Sequence, residues 1–163
     1  MNASERRRQA AQKYRPTAVD LLLVAEAPPD ALDRYFYFED VPTQDSLFRY
    51  VAKLVLGLVP ARCEKATALS ALKERGVFLI DLCEDPLPGR SLCTCTEDLV
   101  RRAKSLAPRK IILIKTTVYD AAFEPLRRAG LPVVAERIPF PGSGQQRRFE
   151  AAFARALKAA NGS

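Results

Sequence analysis

The 163-residue sequence contains no histidine, only four cysteines and no long hydrophobic run. Without histidine, the chain cannot use Ser-His or Cys-His nucleophile activation, an HExxH motif or a mixed cysteine/histidine zinc site. Neither GxGxxG nor GxxxxGK[ST] occurs, which disfavours dinucleotide and P-loop chemistry. Any catalysis must therefore use carboxylates, backbone groups or bound water.

The cysteines, Cys63, Cys83, Cys93 and Cys95, lack the two CxxC pairs of a structural zinc site. No hydrophobic run approaches the roughly 18 residues that span a bilayer, and the charged N-terminus has no apolar signal region behind it. We therefore expect a cytoplasmic protein with reduced thiols, no metal, no cofactor and no membrane partner.

Positive charge is in excess, and it is segregated along the chain. Bases outnumber acids five to one in residues 1–15 and thirteen to four in residues 101–163, whereas acids outnumber bases fourteen to eight in residues 16–100. The formal net charge is +7. This segregation favours a nucleic-acid surface no more strongly than it favours ordinary solvated helix faces.

The length and the 48% hydrophobic fraction indicate a single domain, residues 16–163, preceded by an Arg-rich arm or short helix over residues 1–15 that Ser4 could cap. Short apolar runs, predicted as strands, cover residues 20–25, 77–81, 110–115 and 133–138. Segments whose apolar residues recur at helical spacing lie at residues 43–60, 63–75, 94–107, 119–129 and 149–160. In the third of these segments, Thr94 and Glu97 have the spacing of a capping box. This alternation predicts an α/β fold of three layers, α/β/α, around a four-stranded parallel sheet.

Ligands of such sheets bind beyond the carboxyl ends of the strands. The corresponding residues here are 26–29, 81–86, 116–117 and 139–146. A long connection over residues 26–42 also leaves this edge and contains four consecutive aromatic residues, 35–38. A connection of that length is usually functional or disordered, and its aromatic residues argue against disorder.

Three of these segments resemble motifs of the uracil-DNA glycosylase superfamily. Glu26-Ala27-Pro28-Pro29 after the first strand resembles the Gly-Glu-Ala-Pro-Gly form of its first motif. Residues 77–83, Val-Phe-Leu-Ile-Asp-Leu-Cys, resemble the strand that ends in a base-reading asparagine. Residues 138–144, Ile-Pro-Phe-Pro-Gly-Ser-Gly, resemble the second motif, usually His-Pro-Ser-Pro followed by a DNA-wedging loop. The likeness covers residues 18–160 in the family's order.

The resemblance implies base-excision DNA repair by base flipping, with DNA, duplex or single-stranded, as partner. It implies that Glu26 orients the attacking water, unless it is an ordinary polar residue at a strand end. Base-binding positions implied by the resemblance are Ala27, Pro28, Tyr35, Phe36, Phe38 and Asp81. At least one of the aromatic residues would supply the stacking ring, while others belong to the core.

The resemblance also implies a DNA-binding loop followed by two adjacent arginines. Its residues are Pro139, Pro141, Gly142, Ser143, Gly144, Gln145, Arg147 and Arg148. The arginines are equally compatible with a solvated helix face. The stretch Asp81-Leu-Cys83 is similar to the Asn-Leu-Cys of the single-strand-selective monofunctional branch, which carries no iron–sulfur cluster, so no metal is expected.

Two departures from the family pattern argue against efficient excision of uracil. Ile138 stands where the family has the histidine that stabilises the departing base. Asp81 replaces the asparagine, and an ionised carboxylate offers only acceptors to the O4 acceptor of uracil. Asp81 would suit the two donors of guanine or, if protonated, an edge such as that of adenine or cytosine.

Two interpretations of function remain nearly level. The first is a DNA glycosylase, an N-glycosyl hydrolase, acting on a flipped base other than simple uracil. The second is a catalytically degenerate member of the superfamily that serves as a DNA- or nucleotide-binding or interaction module. A small-molecule enzyme on the same sheet topology is a weaker third, since fold does not fix function.

Overall fold

A computed structural model describes residues 1–42, 45–87, 91–142 and 144–162. Its strands are β1 (Leu21–Ala25), β2 (Val77–Asp81) and β3 (Lys110–Leu113). Its α-helices are α1 (Ala3–Lys13), α2 (Ser46–Val51), α3 (Lys65–Glu74), α4 (Thr96–Leu106), α5 (Thr116–Arg128) and α6 (Gln146–Asn161). A π-helical turn, Ala52–Leu56, continues α2, and 3₁₀ turns at Arg62–Glu64 and Leu92–Cys95 precede α3 and α4.

The three strands form a parallel sheet in the order β2-β1-β3. All five residues of the central strand β1 are buried, as expected for a strand covered on both faces. In register, Leu21 lies opposite Val77 and Lys110, and Ala25 lies opposite Asp81. The carboxyl ends of the strands therefore meet at one edge, and the predicted α/β class is confirmed.

The helices pack in two groups. The π-helical turn contacts both α3 and α6, which also contact β2 and β3 respectively. In the other group α4 contacts α5, and α5 contacts β3. Aromatic rings fill the first group: Phe48, Phe149 and Phe153 have no exposed surface, and the rings of Tyr50 and Phe149 lie 5.4 Å apart.

The fourth strand expected over residues 133–138 is reduced to two isolated parallel bridges, Ile111 with Val133 and Ile114 with Ile138. Ile114 lies three positions after Ile111, but Ile138 lies five positions after Val133, so the two segments lose register between the bridges. Two isolated bridges, rather than a continuous strand, therefore form over residues 133–138.

Two predicted helix starts are wrong. Asn2, rather than Ser4, caps α1, because its side chain accepts from the Glu5 N–H while Glu5 binds back to Asn2. The capping box predicted from Thr94 does not form, because Thr94 Oγ1 donates to the Ser91 carbonyl at 2.7 Å. The 3₁₀ turn therefore delays the start of α4 to Thr96.

Cysteine pairing also differs from the expectation of reduced thiols. Cys83 and Cys95 form a disulfide that joins the segment after β2 to the 3₁₀ turn before α4. Cys63 and Cys93 are free and exposed. Among the described residues, no helix combines the length and apolar character needed to cross a membrane.

Gly76, which turns the chain into β2, supplies a test of the sheet. Its φ is +74°, and an added Cβ would lie 2.9 Å from the Asp20 Cβ. Its carbonyl accepts from the Asp20 and Leu21 N–H groups at 2.8 and 3.1 Å, so the glycine cannot move away easily. Gly130 has a similar φ of +78° but no atom within 4 Å of an added Cβ.

We expect Gly130→Ala to lower the free energy of unfolding by about 1–2 kcal/mol, the cost of left-handed backbone with a Cβ. Gly76→Ala should cost ~1–3 kcal/mol more, because the methyl group collides with the start of β1. Urea denaturation of both variants measures the difference. Equal losses would show that the contact between Gly76 and Asp20 places no constraint on the sheet.

Candidate functional site

A cavity of about 460 Å³ opens at the carboxyl ends of the three strands, and we call it the strand-end pocket. It lies within the size range of small-molecule and cofactor sites. Its lining comes from segments far apart in sequence, namely residues 25–29, 34–36, 45–47, 79, 81, 114–115 and 140–142.

The fold brings many of the predicted site residues to this pocket. Those that line it are Glu26, Ala27, Pro28, Tyr35, Phe36, Asp81, Pro141 and Gly142. They derive from all three motif segments and from the aromatic part of the long connection. Positions chosen separately along the sequence therefore surround one cavity.

Other predicted residues do not line the pocket. Phe38 packs edge-on against Tyr35 and lies 5.3 Å beneath the Arg6 guanidinium, outside the cavity. The predicted DNA-binding residues outside the lining are Pro139, Gly144, Gln145, Arg147 and Arg148. Ser143 lies outside the described residues.

Glu26 is held at the end of β1 by two neighbours. Thr117 Oγ1 donates to Glu26 Oε2 at 2.8 Å, and Lys115 Nζ lies 3.0 Å from the same oxygen. Glu26 Oε1 has no partner among the described residues. The carboxylate, with a 30% exposed side chain, is thus fixed by one oxygen and retains a free acceptor.

Lys115 is the site residue that the sequence did not identify, because it was assigned to the end of a strand. β3 ends at Leu113, and Lys115 has a φ of +84°. A non-glycine residue in such backbone costs of order 1–3 kcal/mol, and such strain clusters at functional sites. Lys115 lines the pocket, with Nζ 5.7 Å from the centre of the Phe140 ring. A lysine directly after an apolar run at this edge was the available signal.

Asp81 ends β2 inside the pocket. The pKa of its carboxyl is raised to about 7, chiefly by burial and also by the Asp45 carboxylate, while Arg102 and Arg7 act to lower it. Arg102 also fixes the backbone here, donating to the carbonyl oxygens of Asp81 and Leu82 at 2.9 and 2.8 Å. Both the protonated and ionised forms of Asp81 are therefore populated near neutral pH.

Asp45 and Lys65 are two charged residues at the pocket, and the charge of each acts on the pKa of the other. Asp45 caps α2, accepting from the Leu47 N–H at 2.9 Å, and burial raises its pKa. Lys65 is fully buried and donates to the Tyr35 carbonyl at 3.1 Å. Burial lowers the pKa of Lys65 to about 8, while Asp45 acts to raise it. Lys65 thus ties the aromatic connection to α3.

The four aromatic residues of the connection divide between site and core. Tyr35 and Phe36 line the pocket, while Tyr37 lies deeper, its Oη accepting from the Leu79 N–H at 2.6 Å. Burial raises the pKa of Tyr35, and the Asp81 charge adds to this effect, so its hydroxyl stays protonated. Tyr35 and Phe36 are thus the rings placed to contact a planar ligand.

Part of the acidic stretch turns away from the pocket. Glu39 binds Lys13 and Tyr14 beside α1, and these hydrogen bonds lower the pKa of Glu39.

In the described part of the chain, no group of three or more acidic or cysteine side chains is arranged to hold a metal ion. The pocket therefore combines an anchored carboxylate, a titratable carboxyl, a lysine cation and aromatic rings.

The raised pKa of Asp81 makes the free energy of unfolding depend on pH. The carboxyl titrates near about 3.9 in an unfolded chain but near about 7 in the fold, so the folded state binds its proton more tightly. The stability it contributes is fully present below the unfolded pKa and is lost as pH rises through the folded pKa, by up to ~1.4 kcal/mol per pH unit.

We therefore expect Asp81→Asn to stabilise the protein relative to wild type more at pH 8 than at pH 5. Urea denaturation at the two pH values gives the difference. Asp30→Asn is the control, because Asp30 is exposed and makes no ion pair among the described residues. An identical response of the two variants to pH would contradict the burial of the Asp81 carboxyl.

Comparisons of the chain with protein-family models, with curated proteins and with solved structures give no match. The chemistry of the strand-end pocket is therefore argued from its own side chains and from the three motifs.

Proposed function

We propose that this protein is a divergent member of the uracil-DNA glycosylase superfamily that binds DNA and hydrolyses the N-glycosidic bond of a flipped, damaged or modified base. Uracil is a poor substrate in this proposal. The observation that carries it is the strand-end pocket, where Glu26, Asp81 and Pro141, one from each motif segment, line the same cavity as Tyr35.

The sheet order supports the proposal. β1, which is followed by Glu26, and β2, which ends in Asp81, are neighbours, and the segment bearing the last motif bridges to β3 through Ile114 and Ile138. Motifs that lie far apart in the sequence thus meet at one edge. The three-layer arrangement of the superfamily, with residues 133–138 in place of a fourth strand, belongs to the same proposal.

In the proposed reaction, a flipped base stacks on Tyr35 or Phe36 within the pocket. Glu26 Oε1 accepts a hydrogen bond from water, and the carboxylate charge stabilises the positive charge that develops on the sugar. The C1′–N bond breaks with its electron pair going to the base, and the water oxygen bonds to C1′. Glu26 accepts the proton released by water and passes it to solvent, from which the departing base takes up a proton.

The departing base also needs a stabilising group. Ile138, at the position of the family histidine, is fully buried and has no side-chain donor. Loss of one such donor typically costs about 2.7–4 kcal/mol of transition-state stabilisation. Arg34 and Lys115 both line the pocket, and Lys115, whose ammonium lies beside Glu26, is proposed to replace it.

Asp81 is proposed to read the edge of the base. Its ionised form accepts from two donors, as guanine offers at N1 and N2, whereas its protonated form matches an edge with one donor and one acceptor, as in adenine or cytosine. Uracil, with an N3–H donor and an O4 acceptor, fits the protonated form only. With a pKa of about 7, Asp81 is increasingly unfavourable to uracil as pH rises above neutrality.

The phosphate contacts are assigned to the start of α6. Arg147 and Arg148 are exposed there, directly after the loop that contributes Pro141 and Gly142 to the pocket. Neither arginine forms an ion pair with a described residue. They are therefore available to neutralise the backbone of a bound strand.

A catalytically degenerate DNA- or nucleotide-binding module is the second candidate. The ion pair between Glu26 and Lys115 favours it, since the lysine ammonium offsets the negative charge that would stabilise a cationic sugar. The core position of Ile138 favours it as well. The two candidates share the pocket and differ in whether a bound base is released.

Glu26→Gln separates the candidates. For the enzyme, we expect the single-turnover rate of base release to fall by about 10²–10⁴-fold, the usual contribution of a general acid or base. Oligonucleotides with deaminated or alkylated bases, duplex and single-stranded, are assayed by alkaline cleavage. Glu150→Gln is the matched control, because Glu150 is similarly exposed and pairs with Lys53 at 2.8 Å.

Cleavage lost in Glu26→Gln and retained in Glu150→Gln supports the glycosylase. Salt-sensitive DNA binding by wild type, without release of any base, supports the binding module. Cleavage that persists unchanged in Glu26→Gln would contradict the role given to this carboxylate.

Asp81→Asn tests the reading of the base edge. An asparagine presents one donor and one acceptor at every pH, so we expect the variant to bind or excise uracil about tenfold better than wild type at pH 8, the worth of one hydrogen bond to a charged group. At pH 6 the gain should largely disappear. Strong wild-type preference for uracil over other bases at pH 8, unchanged by the substitution, would refute this role of Asp81.

A further inference from the structure

A second cavity, of about 430 Å³, lies beside β2 between α1 and α4. We call it the arginine cavity, because five arginines line it, Arg7, Arg8, Arg15, Arg101 and Arg102. Two acidic residues, Asp81 and Glu84, also line it, so positive charge is in excess. Tyr35, Leu79 and Asp81 line both cavities and form the wall between this cavity and the strand-end pocket.

Two of the arginines are already occupied. Arg102 donates to the carbonyls of Asp81 and Leu82 and to the Asp98 carboxylate, and Arg101 also pairs with Asp98. By contrast, Arg8 and Arg15 make no side-chain hydrogen bond or ion pair with any described residue. They present guanidinium groups at the cavity without a partner among the residues that the structure describes.

The guanidinium group of Arg7 is the feature that most strongly indicates a ligand site in this cavity. It is only 8% exposed, and its one ion pair among the described residues joins Nη2 to Asp85 Oδ1 at 3.2 Å. Its Nε is buried and has no acceptor in the described part of the chain. Buried donors are nearly always paired, so an Nε–H without a described acceptor, on a residue that lines a cationic cavity, favours a site for an acceptor beside it.

We propose that the arginine cavity binds the phosphate group of a nucleotide-sized organic phosphate. Guanidinium groups hold phosphate by paired, charge-assisted hydrogen bonds, which matches the free groups of Arg7, Arg8 and Arg15. The cavity is larger than a lone phosphate needs, and its apolar wall, formed by Phe78, Leu79 and Leu106, suits the planar part of such a ligand.

This site goes beyond the proposed glycosylase function and does not depend on it. The phosphate could come from a free nucleotide or from the 5′ end of a DNA strand, and the chemistry of recognition is the same. Neither source requires any base to be excised, so binding is measured without a cleavage assay.

Isothermal titration with deoxyadenosine 5′-monophosphate tests the proposal, with deoxyadenosine as the ligand that lacks phosphate. We expect saturable binding of the monophosphate and none of the nucleoside. The double substitution Arg8→Gln with Arg15→Gln should weaken binding at least about tenfold. Arg127→Gln with Arg128→Gln removes the same charge from the exposed end of α5 and should change affinity less than about twofold.

Arg7→Lys provides a second variant that keeps the charge but loses the Nε donor, and about a tenfold loss is expected. Because Arg7 is buried, the folding of the Arg7→Lys variant is checked by thermal denaturation. Arg8 and Arg15 are exposed, so the double variant at these positions keeps the test independent of folding.

Oligonucleotides with and without a 5′-phosphate identify the source of the phosphate. Tighter binding of the phosphorylated strand indicates a DNA end, and no gain from its phosphate indicates a free nucleotide.

Absence of monophosphate binding to wild type would overturn the proposal. Equal losses in the two double variants would also overturn it, since binding would then reflect overall charge. Equal affinity for nucleoside and monophosphate would show that phosphate is not recognised. None of these results alters the test of Glu26, which depends on base release.

Discussion

The main-chain pairing of β1 with both β2 and β3 is the constraint on which the rest of the structure depends. It continues past the strands, because the Leu82 N–H donates to the Ala25 carbonyl at 2.7 Å and the Cys83 N–H to the Glu26 carbonyl at 3.0 Å. On the other side, the Ile114 N–H donates to the Val24 carbonyl at 2.8 Å. These bonds set the spacing of the segments that bear Glu26, Asp81 and Lys115. The strand-end pocket is therefore as rigid as the sheet beneath it.

β2 lies at the edge of the described sheet, and its outer side is covered by side chains. The Tyr37 hydroxyl satisfies the Leu79 N–H, and Arg102 satisfies the Asp81 carbonyl. Together, β2 and these side chains separate the strand-end pocket from the arginine cavity. Asp81 lines both and responds to charge from both, since Asp45 raises its pKa from one side, while Arg7 and Arg102 lower it from the other.

The parts of the fold that the sequence predicted are those decided by local hydrophobicity. β1 and β2 follow from short apolar runs, and the rule that ligands bind at strand ends located most of the pocket. The predictions that failed depend on contacts outside the local pattern. Thr94 does not cap α4, because its hydroxyl donates to the Ser91 carbonyl. Residues 133–138 do not form a strand, because they lose register with β3. Lys115 was missed because no local signal predicts a lysine in left-handed backbone. The pairing of Cys83 with Cys95 likewise requires a three-dimensional distance that spacing does not give.

The oppositely charged segments of the sequence form ion pairs with each other within the fold. The basic N-terminal segment meets the acidic middle through Arg7 with Asp85 and Lys13 with Glu39, and the basic C-terminal part does so through Lys115 with Glu26 and Arg109 with Asp20. Such contacts neutralise only part of the acidic stretch, since Asp30, Asp33 and Asp40 are exposed and make no ion pair with a described residue. The arginines near the two cavities that make no side-chain hydrogen bond or ion pair with a described residue are Arg8, Arg15, Arg34, Arg147 and Arg148. Net charge is thus a poor measure of phosphate affinity here, because these few unpaired guanidinium groups, and not the overall +7, are available to a ligand.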